Sequence, residues 1–585
     1  MTIEPYKLAI VGVGPRGGYA LECLIAELAR QGSPVDVQIL LFEETSTLGS
    51  GPVYRADQPE TNWINITERA LELNARPAID FGNTHIPRFP EYHEWANLVF
   101  DTWPADQPDT FPPRSKIGRY LRERCGSLVE PLVAADKMSV VVDRVIDVRL
   151  HDHKCILRTS TNKQYSVDDV LLTIGHQPTR EDKQIRDWAE VSKRHENISL
   201  HTSPYPIEDV VIKGSSDAIP NIAIRGYGLA MMDVARAFGE TYGFFEDDPE
   251  GSGKLIYRLR GAKFCMAPFS LDGLTMGPKP YTPKIDAAYR PSDVTLNALS
   301  VALSDTSNQI KATGADFLVN KMVPIIASVY ESLSRPRGGT KTTTDDLEAV
   351  IKTWLLDPDF THELLMPNHV HPSVSLQSLI DMAMDRTDIY LDYCAGQVWR
   401  HCQLIIYAAL SHSQLNDDVL ADIIALDERL KRYSFGPPVD SLQQLRAMCS
   451  AGVLNLNLLN DPDIICGSEG WVLSKGAVSF TAQTMIDSVL DGPKLLEITS
   501  PLLKSLLNKD LIQPAHDQLG VLTDNAGYIK SGRRNEFVPI AILGRIAKGT
   551  VIGVDAILEC FGERPLVWAK SAVEKFVNSY DVAKS

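Results

Sequence analysis

A glycine-rich turn near the N-terminus has the residue types and spacing of a phosphate-binding loop. Residues 12–17 read Gly-Val-Gly-Pro-Arg-Gly, directly after an apolar run and before a stretch typical of a helix, residues 19–29. In such a unit, Gly12 permits the tight turn, Gly14 lets the backbone approach a pyrophosphate, and Gly17 lets helix and strand pack closely. The helix N-terminus then faces the phosphates. The residues predicted to bind a dinucleotide here are Gly12, Gly14, Pro15, Arg16 and Gly17.

Two acidic residues follow at the end of the next predicted strand, 35–42. An acid at this strand tip is placed to bind the ribose hydroxyls of a dinucleotide, and we expect Glu43 to do so, with Glu44 second. The distance from Gly17 is longer than the usual ~20 residues, which a longer first helix explains. The alternative, that the glycines serve only helix packing, does not account for the acid.

A second glycine signal lies after the predicted strand 221–225. Gly226 and Gly228 occupy the first two glycine positions, and Met231 stands where a third would fall. This pattern predicts a second dinucleotide site, although a plain strand–turn–helix crossover also needs glycines. Arg225 and Arg236 are candidates for the 2′-phosphate of NADPH, since a guanidinium binds phosphate through two parallel hydrogen bonds.

These motifs resemble those of the FAD/NAD(P)-binding proteins that open with G-x-G-P-R-G, a family related to the N-hydroxylating flavoprotein monooxygenases. The shared features include an acid after the second strand, a G-x-G-x-x-Y segment at 49–54, and an Asn dipeptide at 64–65, with Ile for the usual Leu or Met. Further matches are the segments 114–121, 171–178 and 544–555. The resemblance spans most of residues 5–290 and 465–565.

The resemblance implies that the second glycine turn, at Gly226 and Gly228, binds NAD(P)H. It also implies bound FAD and adds residues to the FAD site. The cofactor-binding residues that it implies are Gly51, Tyr54, Asn65, Gly175, Gly544, Arg545, Gly553 and Asp555. Gly175 also closes an apolar run typical of a buried parallel strand whose end approaches a ligand. For Gly544 and Gly553 the alternative is that they only end a strand and a loop.

One segment departs from the family pattern. Members usually carry Ser-Arg-x-Gly after the second unit, whereas residues 270–273 read Ser-Leu-Asp-Gly. The missing arginine and the added carboxylate weaken a site that would bind an anionic group of the cofactor. The reductant is therefore NADPH, NADH or another electron donor, or the hydride-transfer step has been lost.

The expected fold class is α/β, with two Rossmann-like dinucleotide-binding domains, for FAD and NAD(P)H, and a large helical insertion. In the 585 residues we expect a first part of the FAD domain at 1–204 and the NAD(P)H domain at 205–290. Long stretches of 3.6-residue period predict the helical insertion at 291–461, and residues 462–585 return to both cofactor domains. The insertion is either a lid over the flavin or a dimerisation or packing module.

The function implied by the resemblance is an FAD-dependent, NAD(P)H-using monooxygenase. It would N-oxygenate a small amine or amino acid with dioxygen, through a flavin C4a-hydroperoxide, and need no catalytic side chain that the sequence identifies. Arg114 and Arg545 are candidates for binding a substrate carboxylate. Two alternatives stay open: an FAD/NAD(P)H oxidoreductase without oxygen insertion, and a non-catalytic cofactor-binding scaffold.

Composition excludes several classes. A net charge of −17 and a pI near 5.3 argue against a nucleic-acid surface. No apolar stretch reaches the ~20 residues of a membrane helix, and the N-terminus has no secretory signal pattern, which predicts a cytoplasmic protein. The 9 cysteines form no C-x-x-C pair, against a disulfide reductase. The spacing of His362, His369 and His371 does not predict a metal site. A homodimer stays open.

Overall fold

The structure is a computed structural model. It describes residues 5–32, 37–100, 103–211, 220–249, 254–261, 263–338, 343–531 and 537–584, with side chains as far as residue 578. Among these residues, no helix is both long and apolar enough to cross a bilayer.

The strands fall into two parallel sheets and several small antiparallel ones. In chain order they are β1 (Tyr6–Val11), β2 (Val37–Glu43), β3 (Ile79–Phe81), β4 (Thr84–Ile86), β5 (Met138–Val142), β6 (Val145–His151), β7 (Lys154–Thr159), β8 (Gln164–Val167), β9 (Asp169–Leu172), β10 (Ser199–His201), β11 (Ile222–Arg225), β12 (Gly243–Asp247), β13 (Leu255–Leu259), β14 (Met266–Phe269), β15 (Asp463–Gly467), β16 (Gly470–Lys475), β17 (Val478–Ala482), β18 (Thr484–Asp487) and β19 (Ile540–Ile542).

The helices concentrate in the middle of the chain. In chain order they are α1 (Pro15–Gln31), α2 (Tyr92–Trp95), α3 (Arg114–Ala134), α4 (Lys183–Ser192), α5 (Ile207–Val210), α6 (Leu229–Tyr242), α7 (Pro283–Ala287), α8 (Asp293–Ser304), α9 (Thr306–Ile310), α10 (Asp316–Ser332), α11 (Thr344–Leu356), α12 (Pro372–Ala383), α13 (Leu391–Leu410), α14 (Asp417–Ser434), α15 (Val439–Ser450), α16 (Pro501–Asn508), α17 (Ile557–Cys560) and α18 (Glu563–Lys584).

The first parallel sheet has the strand order β19-β9-β1-β2-β5. One face packs against α1, α3 and α18, and the other packs against the small β6-β7-β8 sheet and α16. Its central strands are mainly apolar, with residues 8–11 of β1 and 170–172 of β9 buried, as expected of parallel strands covered on both faces. Because the strands are parallel, the segments that follow β1, β2, β9 and β19 meet along one edge of the sheet.

The second parallel sheet has the order β10-β18-β11-β14. One of its faces shares a hydrophobic core with the helices between Pro283 and Ser450, in which Ile224 and Met231 belong to the same apolar cluster as Leu299 and Trp399. The helical region is therefore packed onto the second sheet through a continuous core.

The predicted fold class is confirmed: the chain is α/β, with two parallel sheets that each carry a glycine turn before a helix. The first helix begins at Pro15, earlier than the predicted residue 19, because Pro is suited to the first helical position and Gly17 and Gly18 give no periodic signal. The predicted domain boundaries stay predictions, and the helical region begins at Pro283, before the predicted residue 291.

A glycine on α3 allows close contact with the loop after β2. A Cβ at Gly118 would lie 1.8 Å from the backbone oxygen of Tyr54, whereas a Cβ at Gly126 on the same helix would lie 3.5 Å from the end of the Glu130 side chain. We expect Gly118→Ala to lower the free energy of unfolding by about 1–3 kcal/mol, because the backbone must move.

The matched control is Gly126→Ala, which we expect to be neutral or to stabilise by up to ~1 kcal/mol through helix propensity. Urea unfolding of both variants measures the difference. Equal stability of the two variants would contradict the predicted contact.

Candidate active site

The turn after β1 is tight and leaves no space for side chains. Gly12 has a φ of +86°, and its N–H donates to the Phe42 oxygen at 2.9 Å. A Cβ at Gly17 would lie 2.2 Å from the Gly12 oxygen, and one at Gly12 would lie 2.7 Å from the Thr173 oxygen. Gly14 precedes α1 and caps it with no side chain. The helix N-terminus is therefore reachable by a phosphate, and these residues fit a dinucleotide.

The two acids at the end of β2 have different surroundings. The Glu43 carboxylate accepts hydrogen bonds from Val13 N–H at 2.7 Å and Glu44 N–H at 2.9 Å, and burial raises its pKa. Glu44 is exposed and pairs with Arg144 at 2.6 Å. Glu43 thus faces the glycine turn and Glu44 faces solvent, which favours the predicted order of the two as ribose ligands.

The loop after β2 returns to the glycine turn. Gly49 N–H donates to the Val13 oxygen at 2.7 Å, and Gly51 lies beside Gly14, where its Cβ would approach the Gly14 Cα to 3.4 Å. Tyr54 is partly buried against the core that α3 helps to form. The structure therefore brings Gly51 to the turn.

The C-terminal part of the chain closes the same edge of the sheet. Arg16, only 7% exposed, donates from Nη1 to the Glu559 oxygen at 2.9 Å and from Nη2 to the Val554 oxygen at 3.4 Å. Gly544, which follows β19, has a φ of +98°, and its Cβ would lie 2.8 Å from Arg16 Nε. The predicted turn residue Arg16 thus acts as a clamp between α1 and the loop at 554–559.

Two predicted residues bring other elements to this edge. Gly553 has a φ of +76°, and its Cβ would lie 2.2 Å from the ring of Tyr407 on α13. Gly175, with a φ of +63°, has open space where a side chain would be. Both glycines do more than end a strand or loop: one permits helix contact, and the other leaves room at the sheet edge.

Asp555 is the centre of a charge network. Its carboxylate pairs with Arg545, with Lys431 at 2.6 Å and with Lys548 at 3.1 Å, while Glu428 pairs with Lys431 at 2.7 Å. Burial alone would raise the pKa of Asp555, but the attraction of the three cations holds it well below its usual range. The network joins α14 of the helical region to the C-terminal loop.

Both arginines predicted to bind a substrate carboxylate form ion pairs within the protein. Arg545 contacts Asp555 through Nη1 and the Asp491 oxygen through Nη2 at 2.9 Å. Arg114 pairs with Asp233 at 2.8 Å and lies 5.3 Å from the centre of the Tyr205 ring. Arg114 thus links α3 to α6, and Arg545 links two parts of the C-terminal chain. Binding of a substrate carboxylate by either arginine stays a prediction.

The second glycine turn follows β11 at the edge of the second sheet. Gly226 has a φ of +103°, its N–H donates to the Phe269 oxygen at 2.8 Å, and its Cβ would lie 2.7 Å from Ser488 Oγ. Gly228 precedes α6 and caps it with no side chain. Met231, at the third glycine position, is fully buried in the core. The turn keeps the geometry of a dinucleotide cradle without the third glycine.

The two arginines considered for the 2′-phosphate differ in position. Arg236 is 3% exposed, stacks 4.0 Å from the Trp63 ring centre and donates to the Thr61 oxygen at 2.7 Å, so it is a core residue and its suggested phosphate role is not supported. Arg225 lies at the turn but pairs with Asp487 at 3.0 Å and with Asp182.

One cavity adjoins the second glycine turn, and another lies beside the C-terminal loop. A cleft of about 1310 Å³ runs from Tyr227, beside the second glycine turn, to Glu428 of the charge network, and Asp272 and His369 line it. A cavity of about 540 Å³ lies between Asn65, the C-terminal loop and α13. Asn65, predicted as a flavin-side residue, donates from Nδ2 to the Phe435 oxygen at 3.0 Å at the rim of this cavity.

The smaller cavity holds several ionisable groups that the sequence prediction missed. Arg400 pairs with Asp286, and His401 lies 3.2 Å from the same carboxylate. Burial lowers the pKa of Lys279 to about 7 and raises that of Glu559 to about 7. Groups with displaced pKa values in one cavity are typical of a reaction site.

The residues considered for a metal site serve other contacts. His371 Nε2 lies 2.9 Å from the Asn457 side-chain oxygen and Nδ1 lies 2.7 Å from Ser373 Oγ. In the ranges that the structure describes, no group of three or more His, Cys, Asp or Glu side chains is arranged to hold a metal ion.

Comparison with known proteins agrees with the glycine motifs. Residues 9–177 match a family model described as FAD-NAD(P)-binding. The L-aspartate N-monooxygenase (nitrosuccinate-forming) of Streptomyces davaonensis is 24% identical over 291 residues, 44% of this chain and 43% of that protein. Nitrosuccinic acid synthase of Aspergillus oryzae is 27% identical over 231 residues, 39% of this chain and 34% of that protein. The chain thus covers less than half the length of either relative.

A solved structure also aligns with the chain. The ε-caprolactone-bound crystal structure of cyclohexanone monooxygenase in the Loose conformation covers 99% of this chain and 89% of its own, with 10% identity and a TM-score of 0.47. The family model confirms the predicted resemblance to FAD/NAD(P)-binding proteins and the predicted cofactor class over residues 9–177.

The first turn gives a direct test of cofactor binding. We expect Gly17→Ala to abolish retention of FAD, because its Cβ would lie 2.2 Å from the Gly12 oxygen and push α1 away from the turn. Gly18→Ala is the matched control, since its Cβ would meet the Cys125 Sγ at an ordinary 3.6 Å. Flavin absorbance per protein after gel filtration measures retention, and full retention by Gly17→Ala would contradict the site.

Proposed function

We propose that the protein is an FAD-dependent, NAD(P)H-using monooxygenase that N-oxygenates the amino group of a small acidic amino acid such as aspartate. The observation that carries the proposal is the cavity of about 540 Å³, because it is lined both by the segment predicted to contact the flavin and by cationic side chains. One of the two similar enzymes is named for L-aspartate, and both are named for forming nitrosuccinate or nitrosuccinic acid. L-Aspartate has the size and charge to suit such a cavity.

The residues of the first sheet edge would hold FAD. The turn at 12–17 and the N-terminus of α1 would receive the pyrophosphate, and Glu43 would accept hydrogen bonds from ribose hydroxyls. Arg16 keeps the loop at 554–559 against the turn. When bound, FAD accepts a hydride from NAD(P)H and delivers electrons to dioxygen, so that one oxygen atom reaches the substrate nitrogen.

The second turn and the larger cleft would hold the nicotinamide cofactor. The N-terminus of α6 is uncapped by side chains, and the cleft of about 1310 Å³ begins at Tyr227 and leads toward the charge network of Asp555. Asp272, the carboxylate in the departure from the family pattern, accepts a hydrogen bond from Leu274 N–H at 3.0 Å and stabilises its own loop. Arg225, the candidate for the 2′-phosphate of NADPH, is already paired with two acids. The structure therefore favours neither NADPH nor NADH, and both are to be tested.

We infer that Arg400 binds a substrate carboxylate. Its Nε donates to Gln397 at 2.9 Å and its Nη2 contacts Asp286. Among the described residues, its Nη1 has no acceptor, and the side chain lines the smaller cavity. A guanidinium held in this way offers a pre-oriented donor to a carboxylate.

The proposed reaction is tested in two steps with purified protein. Under anaerobic conditions, NADPH or NADH is expected to bleach the visible absorbance of bound FAD. In air, L-aspartate is expected to accelerate NAD(P)H oxidation and to gain oxygen at nitrogen, giving hydroxylamine or nitro products by mass spectrometry.

Each result separates the competing functions. Bleaching without any oxygenated amine, across a panel of amino acids and small amines, would indicate an oxidoreductase without oxygen insertion. A protein that retains FAD but bleaches with neither nicotinamide cofactor, in the presence or absence of amino acid, would contradict the proposal and favour a scaffold.

The role of Arg400 is tested by substitution. We expect Arg400→Gln to raise the KM for aspartate about 10- to 100-fold, as expected for loss of a hydrogen bond to a charged group worth about 1.5–3 kcal/mol. Arg290→Gln is the matched control, since Arg290 lines the same cavity but is half exposed and pairs with Asp293 at 2.6 Å. An unchanged KM in Arg400→Gln would rule out carboxylate binding by this side chain.

A further inference from the structure

Lys279 has an unusual position in the cavity of about 540 Å³. Its Nζ donates a hydrogen bond to the backbone oxygen of Asn65, and its side chain lines the cavity together with Arg400 and Glu559. In the part of the chain that the structure describes, Lys279 forms no ion pair with a carboxylate. A partly buried ammonium without a counter-ion is costly, so the surroundings favour the neutral amine.

The charged groups around Lys279 agree with this. Asp286 is the nearest acid that would favour its charged form, but Arg400 and His401 already hold that carboxylate. Burial and, to a smaller extent, the positive charge of Arg400 together lower the pKa of Lys279 to about 7, although the negative charge of Asp286 opposes them.

The cavity is also lined by two more arginines and by two glutamates, of which Glu72 is exposed. Arg69 is paired with Asp109 at 2.9 Å, and Arg290 is paired with Asp293 at 2.6 Å. The carboxylate of Glu559 accepts the Ala556 N–H at 2.9 Å, and burial raises its pKa.

The hydrogen bond to Asn65 also leaves the lone pair of a neutral lysine available. A neutral amine has two N–H donors and one lone pair, and the Asn65 oxygen takes one donor. The lone pair can then accept a proton from a group bound in the cavity.

Resting on the proposed function, we propose that Lys279 is the proton acceptor that converts the bound substrate ammonium into the neutral amine that is oxygenated. An ammonium nitrogen has no lone pair with which to attack an oxygen atom, so the proton must leave first. The N–H bond of the substrate breaks, a new N–H bond forms at Lys279 Nζ, and the nitrogen lone pair becomes free.

The proton balance closes with the reactants of the proposed function. Overall, R–NH3+, dioxygen and NADPH give R–NHOH, water and NADP+. Lys279 holds the ammonium proton until it is released into the water that is formed, so the lysine returns to its neutral form in each cycle.

The test compares Lys279→Arg, Lys279→Met and the exposed surface control Lys284→Met. In the wild type, kcat/KM for amine oxygenation is expected to fall as the pH drops below about 7, when Lys279 becomes charged. Both Lys279 variants are expected to lose about 100-fold or more in product formation at pH 7 and to recover as the pH approaches the pKa of the substrate ammonium. KM is expected to change little.

A second readout is the partition of electrons. Without the proton acceptor, the variants are expected to still bind FAD and to oxidise NADPH, but to release hydrogen peroxide in place of oxygenated amine. A merely structural role would lower FAD retention or NADPH oxidation as well. A variant that retains FAD is folded. One folded Lys279 variant is enough to test the proposed role of the lysine.

A third readout does not depend on turnover. Acetylation of the free protein at a series of pH values, followed by mass spectrometry, is expected to show that Lys279 becomes reactive at lower pH than Lys284. If Lys279 became reactive only at the pH at which Lys284 does, the proposal would be overturned.

The remaining outcomes are distinguishable. If wild-type protein oxygenates no amine, the proposed function and this role both fall. If it does, but Lys279→Arg keeps the wild-type pH profile, only the role of Lys279 falls, and carboxylate binding by a cation explains the residue. If Glu559→Gln loses the low-pH limb while Lys279→Met keeps it, Glu559 is the acceptor and the proposal is wrong.

Discussion

The return of the C-terminal chain to the N-terminal glycine turn is the constraint on which the rest of the site depends. β19 pairs with β9 in the first sheet, more than 360 residues further along the chain, and Arg16 fastens the loop beyond it by two backbone carbonyl contacts. Because the Arg16 guanidinium is buried, its loss would leave those carbonyls without partners. The same clamp places the loop at 554–559 at the wall of the smaller cavity.

The helical region is tied to this closure through charge and packing. Lys431 of α14 reaches Asp555, and the ring of Tyr407 of α13 lies where a side chain at Gly553 would be. The same helices share their core with the second sheet. The helical region is therefore packed against both sheets' neighbouring elements, and through Arg400 it also supplies a wall of the cavity.

Much of the fold was predictable, because the signals are local. The glycine turns, the acid at the end of β2 and the 3.6-residue periods are each written within a few tens of residues, and the structure has a turn, a strand end or a helix at each. The contacts of Arg114 and Arg236 were not predictable, because Asp233 and Thr61, which they contact, lie more than 100 residues away in the chain. Lys279 could not be singled out from the sequence, where it only stands between two prolines. Its lowered pKa comes from its burial and from Arg400, more than 100 residues away.

We propose that the substrate amine meets the flavin in one cavity, which the predicted flavin-side segment at Asn65, the C-terminal loop and α13 enclose. A crystal structure of the protein with FAD and L-aspartate would show whether it does. We expect density for FAD along the turn at 12–17, with its ring edge at the cavity of about 540 Å³ and aspartate within reach of Arg400 and Lys279. FAD bound with its ring away from this cavity, or aspartate bound elsewhere, would contradict it.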